Sequence, residues 1–274
     1  MSDRVAVLDT DFLIKTYNTK NDNNTSLSDI VLQLDYDFCC HTQIINELKG
    51  DENPAALWLN KNLNAGKIKS YSDLDLVKLI QKSFQFGNYL SAVKIYSELL
   101  KSACDTFSSS FYERNYQALE LLLDGRTDIN EAQFNNAINL GDSSVGVHNN
   151  LGEIKSYLLT LVIGKCLGQQ CFIFCSDDKQ ARRNIIADVN VQCISVFGFF
   201  WIAKRKNILT KKESLEFFNG WKSIHKGISN LTIKKQNGKG YDFIKMNVDD
   251  AFKNIWNDKF VLGVDGFLID KSSK

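Results

Sequence analysis

Two textures of apolar patterning alternate along the chain. Near the start, and again beyond residue 142, short unbroken apolar runs stand between helical patterns. RVAVLD (4–9), YDFCCH (36–41), QCFIFCSDD (170–178) and VNVQCIS (189–195) read as buried strands. FLIKTY, SLSDIVLQL (with Ser26 or Ser28 as cap), QIINEL, KQARRNIIA and VFGFFWIAKRKNI carry helical spacing between or after them. Thr42 is the expected N-cap of QIINEL, which places Glu47 one turn in, and LGEIKSYLLTLVIGKCL reads as a long helix stopped by Gly168. Thr210 and Glu213 stand at capping-box spacing at the head of another helix.

Residues 51–141 differ. ALWLNKNL, LDLVKLIQKSF, LSAVKIYSELLKSA, YQALELLL and INEAQFNNAINL read as successive amphipathic helices with polar breaks between them, and no carboxylate there sits at a strand end. This segment reads as a helical insertion. After His225 the pattern loosens: KKQNGKGY reads as a basic loop, VDDAFKNIW as a short helix, and FVLGVDGFLID as a hairpin turning at Asp265–Gly266. Strands that are apolar throughout, alternating with helices, predict an α/β fold with a central parallel sheet covered on both faces.

Composition narrows the picture a little. With 33 Lys and Arg against 32 Asp and Glu in 274 residues, any nucleic-acid contact must come from local clusters rather than from net charge. The seven cysteines lack paired CxxC spacing, and several lie in apolar runs. Buried thiols in a reducing cytoplasm are expected, rather than disulfides or zinc. No stretch approaches the ~18 apolar residues of a membrane span.

The chemistry lies in the acids. In such a sheet, ligands bind beyond the carboxyl ends of the strands. Asp9, Asp177 and Asp178 fall at those ends, with Glu47 and Glu153 on the helices that adjoin them. Each has a plainer reading: Asp9 and Asp177–Asp178 as helix caps, Asp11 and Glu153 as first-turn acids favoured by the helix dipole, Glu47 as a solvated face. Together they predict carboxylates converging from distant positions. Crowded carboxylates repel unless a cation sits among them, and hard oxygen donors suit Mg²⁺ or Mn²⁺. Arg182, Arg183, Lys204, Arg205 and Lys206 are the candidate phosphate contacts, against the plainer reading of a solvated helix end for the Lys204–Lys206 run.

Five segments in order carry a family resemblance. VAVLDTDFLI resembles the opening strand of PIN-domain nucleases, and HTQIINELKG their second motif. LGEIKSYLLTLVIG, CFIFCSDDKQARRNI and VFGFFWIAKRKNILT are similar to the Gly-Glu helix, the Asp-Asp-x-x-Ala-Arg motif and the following Gly-containing helix of a prokaryotic branch. The resemblance implies a PIN-like three-layer α/β/α core, split between 1–50 and 142–225, with the insertion at 51–141 and a C-terminal extension at 226–274. It implies a Mg²⁺- or Mn²⁺-dependent nuclease acting on RNA. Asp9, Glu47, Glu153 and Asp178 would be catalytic acids and metal ligands, Asp177 a further ligand, and Ser176 a substrate or water contact. Many relatives are cytoplasmic toxins of toxin–antitoxin pairs, so an inhibitory or regulatory protein partner and a homodimer are expected possibilities. Toxin-type relatives are about half this length. Two other readings stay open. VLDTDFL also fits haloacid-dehalogenase-type phosphatases, with Asp9 as nucleophile and Asp11 as general acid; the third is a PIN-like scaffold that binds RNA or protein without catalysis.

Overall fold

The computed structural model describes residues 4–48, 53–145, 150–168, 170–174, 191–237 and 240–271. Five strands form one sheet: β1 (Arg4–Leu8), β2 (Asp37–His41), β3 (Ile68–Tyr71), β4 (Gln170–Phe174) and β5 (Gln192–Ile194). Their order is β3-β2-β1-β4-β5, and every pairing is parallel. The first strand therefore lies at the centre, between β2 and β4. The sheet order reverses beside it, which is where open parallel sheets form a crevice.

Successive side chains of a strand point to opposite faces, and β1 uses both. Ala6 and Leu8, with Phe38, Cys40 and Ile68, join one core together with α1 (Thr10–Asn18), α2 (Leu27–Val31) and α4 (Pro54–Asn64). Three later helices complete it: α11 (Val196–Arg205), α12 (Lys211–Ile224) and α13 (Val248–Trp256). Val5, Val7 and Cys39 face a second core with α5 (Asp73–Ser83), α6 (Tyr89–Phe107), α7 (Phe111–Asn115), α8 (Gln117–Leu123), α9 (Glu131–Ser144) and α10 (Leu151–Leu167). The result is a helix–sheet–helix arrangement. α10 carries apolar residues around its whole circumference because it is enclosed, packing on β2 and β4 on one side and α5 and α6 on the other. Gly168 ends it at φ +62°, a left-handed position that costs glycine little.

Three expectations change. The segment 51–141 is not wholly helical: Ile68–Tyr71 is an edge strand paired with β2, so the sheet continues to Tyr71 and the helical insertion begins at Asp73. Four residues with two exposed give almost no periodic signal. The described residues of KKQNGKGY are strand rather than loop; β6 (Asn230–Asn237) and β7 (Gly240–Asn247) form a hairpin within a second sheet of order β7-β6-β9-β8, where β8 is Phe260–Leu262 and β9 is Leu268–Asp270. Its polar, lysine-rich face is solvent-exposed, which hid the alternation. Finally, His41 rather than Thr42 caps α3 (Thr42–Glu47), its Nδ1 accepting the Gln43 N–H at 3.1 Å. The hairpin at Asp265–Gly266 and the Thr210–Glu213 capping box form as expected. Among the described residues no helix is long and apolar enough to cross a membrane.

Candidate functional site

Asp9 follows β1 directly, at the carboxyl edge of the sheet, and is N-cap to α1 by position; its side chain makes no capping hydrogen bond. It is 4% exposed. Burial first, then the charges of Glu153, Asp11 and Glu47, push its pKa up to about 8; the backbone N–H of Thr10 opposes the rise. The Ser156 hydroxyl, one turn along α10 from Gly152, lies 3.5 Å from its Oδ1. A carboxyl so placed gains from any cation brought beside it.

Glu47 closes α3. The Thr10 hydroxyl donates to its Oε2 at 2.5 Å, which ties the helix after β2 to the start of the helix after β1. Its carboxylate lies directly on Gly152. A Cβ at that position would stand 2.5 Å from Oε1 and closer still to Oε2. Gly152 is thus a cradle for the Glu47 head, at the N-terminus of the helix that carries Glu153. This explains the Gly-Glu pair in the sequence: one residue admits the neighbouring acid, and the next adds its own.

Asp9, Glu47 and Glu153 therefore come to one region, as their mutual electrostatics require. Their all-oxygen donor set suits a hard divalent ion in kind. Among the described residues, however, no three acidic, histidine or cysteine side chains are grouped as a metal site. Ser176, Asp177, Asp178, Arg182 and Arg183 lie outside the described residues. Asp11 turns to the flank of α1, paired with Lys15 at 3.0 Å and 41% exposed.

The Lys204–Lys206 cluster is elsewhere. A helix that follows a parallel strand runs back toward the strand's amino edge, and ten residues at ~1.5 Å each carry it about 15 Å. Lys206 accordingly sits over the ring of Tyr36, the residue just before β2 begins. Lys204 is drawn inward, pairing with Asp258 at 2.7 Å and donating to the carbonyls of Ile255 and Trp256 that end α13. Arg205 lies over Trp201. Lys204 and Arg205 thus stand on the edge opposite Asp9, Lys204 engaged in packing and Arg205 exposed.

A second polar cluster, which nothing in the sequence singled out, lies on the same carboxyl edge beside the acids. Lys155 on α10 is fully buried and pairs with Asp73 at 2.9 Å and Asp142 at 3.0 Å. Burial alone would lower its pKa, but Asp73 and Asp142 outweigh it and hold the ammonium above its ordinary value. For Asp73 burial works upward, yet Lys155 and then His41 keep its carboxylate far below the usual range. Tyr96 donates to Asp73, and Tyr116 donates to Asp142 at 2.7 Å. His41 Nε2 stands 3.4 Å from Asp73 Oδ1 without the alignment of a hydrogen bond. The legible signal was Lys155 itself: a lysine inside an otherwise apolar helical run must find a carboxylate.

Fold and site together define an α/β protein with a buried, acid-crowded carboxyl at the crevice of a parallel sheet. Comparison of the chain with family models, curated proteins and solved structures returns no match.

Proposed function

We propose that this chain is a divalent-metal-dependent nuclease acting on RNA, built on a PIN-like core. The observation that carries the reading is Asp9: buried at the carboxyl end of the central strand and crowded by Glu153, Asp11 and Glu47 until its pKa reaches about 8. A carboxyl under that pressure is costly unless a cation is present to hold it ionised. Asp9, Glu47 and Glu153 are the described residues that would hold Mg²⁺ or Mn²⁺, with Asp177 and Asp178 expected beside them from the sequence. When bound, such an ion makes a water more acidic and offsets charge on a phosphodiester under in-line attack.

The protein's own groups position this centre. Thr10 and Gly152 fix the Glu47 carboxylate, and Ser156 offers a donor to Asp9. The Asp11–Lys15 pair weighs against a phosphatase, since it engages the carboxylate that reading needs as general acid. An inhibitory protein partner and a homodimer remain part of the proposal through the family resemblance alone.

The test is incubation of the full chain with structured and single-stranded RNA in Mn²⁺ or in EDTA, beside Asp9→Asn and Glu153→Gln. Cleavage should require the metal and fall by at least two orders of magnitude in either variant. Cleavage in EDTA, or cleavage that survives both substitutions, refutes the mechanism. A chain that cleaves nothing but gains thermal stability from Mn²⁺ only while Asp9 is intact would keep the metal site and discard the nuclease.

A further inference from the structure

The buried Lys155 network does not end in the protein interior. It forms one wall of a cavity of about 330 Å³ at the carboxyl ends of β2 and β3, near the small end of the ~300–1,000 Å³ range of small-molecule sites. His41, Asp73 and Asp142 line it from the network side. Amides line it from two helices: Gln43 and Asn46 on α3, Asn135 and Asn139 one turn apart on α9. Leu74 and Ile138 add apolar surface. Asn46 directly precedes Glu47, so the cavity and the acid centre share α3.

Three features decide what the cavity accepts. First, two carboxylates share one ammonium. Two carboxylates make the wall rich in acceptors, which favours a hydrogen-bond donor over a phosphate. Second, His41 is 1% exposed, and its Nε2–H has no aligned acceptor, so a buried donor waits on the cavity wall. Third, side-chain amides present a donor and an acceptor side by side. That arrangement reads the edge of a nucleobase, as Asn and Gln do with adenine, while a carboxylate accepts from the cytosine amine.

We propose that this cavity is a nucleobase subsite, selective for bases that carry an exocyclic amine, and that the helical insertion supplies its selectivity through Asn135 and Asn139. This rests on the RNA reading of the adjoining acids. Two strand spacings, roughly 10 Å, separate the ends of β3 and β1. A nucleotide whose phosphate lies at Asp9 thus has its own or a neighbouring base at the cavity. The amine donates to the carboxylate wall, a ring nitrogen or carbonyl accepts from His41 or an amide, and Leu74 and Ile138 flank the ring.

Binding can be measured apart from cleavage. The full-length Asp9→Asn chain, in EDTA, is titrated calorimetrically with AMP, CMP, GMP, UMP and ribose 5-phosphate. At least one amino-bearing nucleotide should bind ten times or more tightly than UMP and ribose 5-phosphate. Asn135→Ala with Asn139→Ala, both on the outer part of α9, should erase that preference, weakening the best nucleotide about tenfold or more. Equal binding of all five compounds, binding of none, an unchanged preference after loss of both amides, or tight binding of spermidine alone overturns the subsite. Metal-dependent RNA cleavage alongside any of those results would leave the nuclease standing without it. Selective nucleotide binding with no cleavage would do the reverse.

Discussion

Asp9→Asn should make the metal-free protein more stable, not less, and by an amount that grows with pH. The substitution is close to isosteric, and the amide oxygen still accepts from Ser156 and from the Thr10 N–H. What it removes is a charge that the fold resists. In the unfolded chain Asp9 ionises near 3.8; in the native state it does so near 8. Below 3.8 both states are protonated, and Asp9 costs nothing. Between the two values the native state binds more protons than the unfolded one, so stability falls as pH rises; above 8 the loss is complete. At pH 7 the interval is about three pH units at ~1.36 kcal/mol each, a cost on the order of 4 kcal/mol. Even a quarter of that moves the melting temperature by about 2 °C in a chain of this size. Thermal unfolding of both proteins from pH 4 to 9 in EDTA should therefore give curves that meet at the acid end and diverge toward pH 8. Saturating Mn²⁺ should close or reverse the gap, because it stabilises only the native state that binds it. A gap independent of pH, or a less stable Asp9→Asn at pH 8 in EDTA, refutes the electrostatic account of the site.

Gly152→Ala should displace the Glu47 carboxylate from its cradle, costing about 1–3 kcal/mol from overpacking and lowering RNA cleavage well beyond what the lost stability explains; a stability-matched control variant separates the two. Lys155→Met leaves Asp73 and Asp142 buried without their cation and should cost about 3–5 kcal/mol, read by denaturant titration. Adding Asp73→Asn and Asp142→Asn should recover much of it, and no recovery would show that the network is not held by charge. Lys204→Ala should lower the melting temperature through its lost contacts with Asp258 and the end of α13, while RNA affinity by filter binding stays as in the wild type. A fall in affinity would return Lys204 to the substrate path.

The sequence made the centre of the fold legible and its margins much less so. β1 announces itself because a strand buried on both faces is apolar at nearly every position, β4 carries the same apolar run in sequence, and an acid after such a run stands out. α10 could be read end to end, from Leu151 to its glycine stop. β3 could not, because an edge strand of four residues spends half its side chains on solvent. The hairpin of β6 and β7 was hidden for the same reason. The acids could be grouped from strand ends, but the lysine network could not. Its members come from β2, α5, α9 and α10, and only packing brings His41, Asp73, Asp142 and Lys155 together. Nor could the place of the basic cluster at the end of α11 be read, because a charge run has no direction in sequence, whereas the helix bearing it runs to the far edge of the sheet.

The central place of β1 has a temporal consequence. One of its two flanking strands is β4, encoded more than 160 residues later, so at ~5–20 residues per second the N-terminal strand waits on the order of ten to thirty seconds for its partner. Through most of that wait the helix bearing Glu153 is still unmade. Until β4 is made, Asp9 therefore lacks one of the two strands that enclose its end of the sheet in the finished fold.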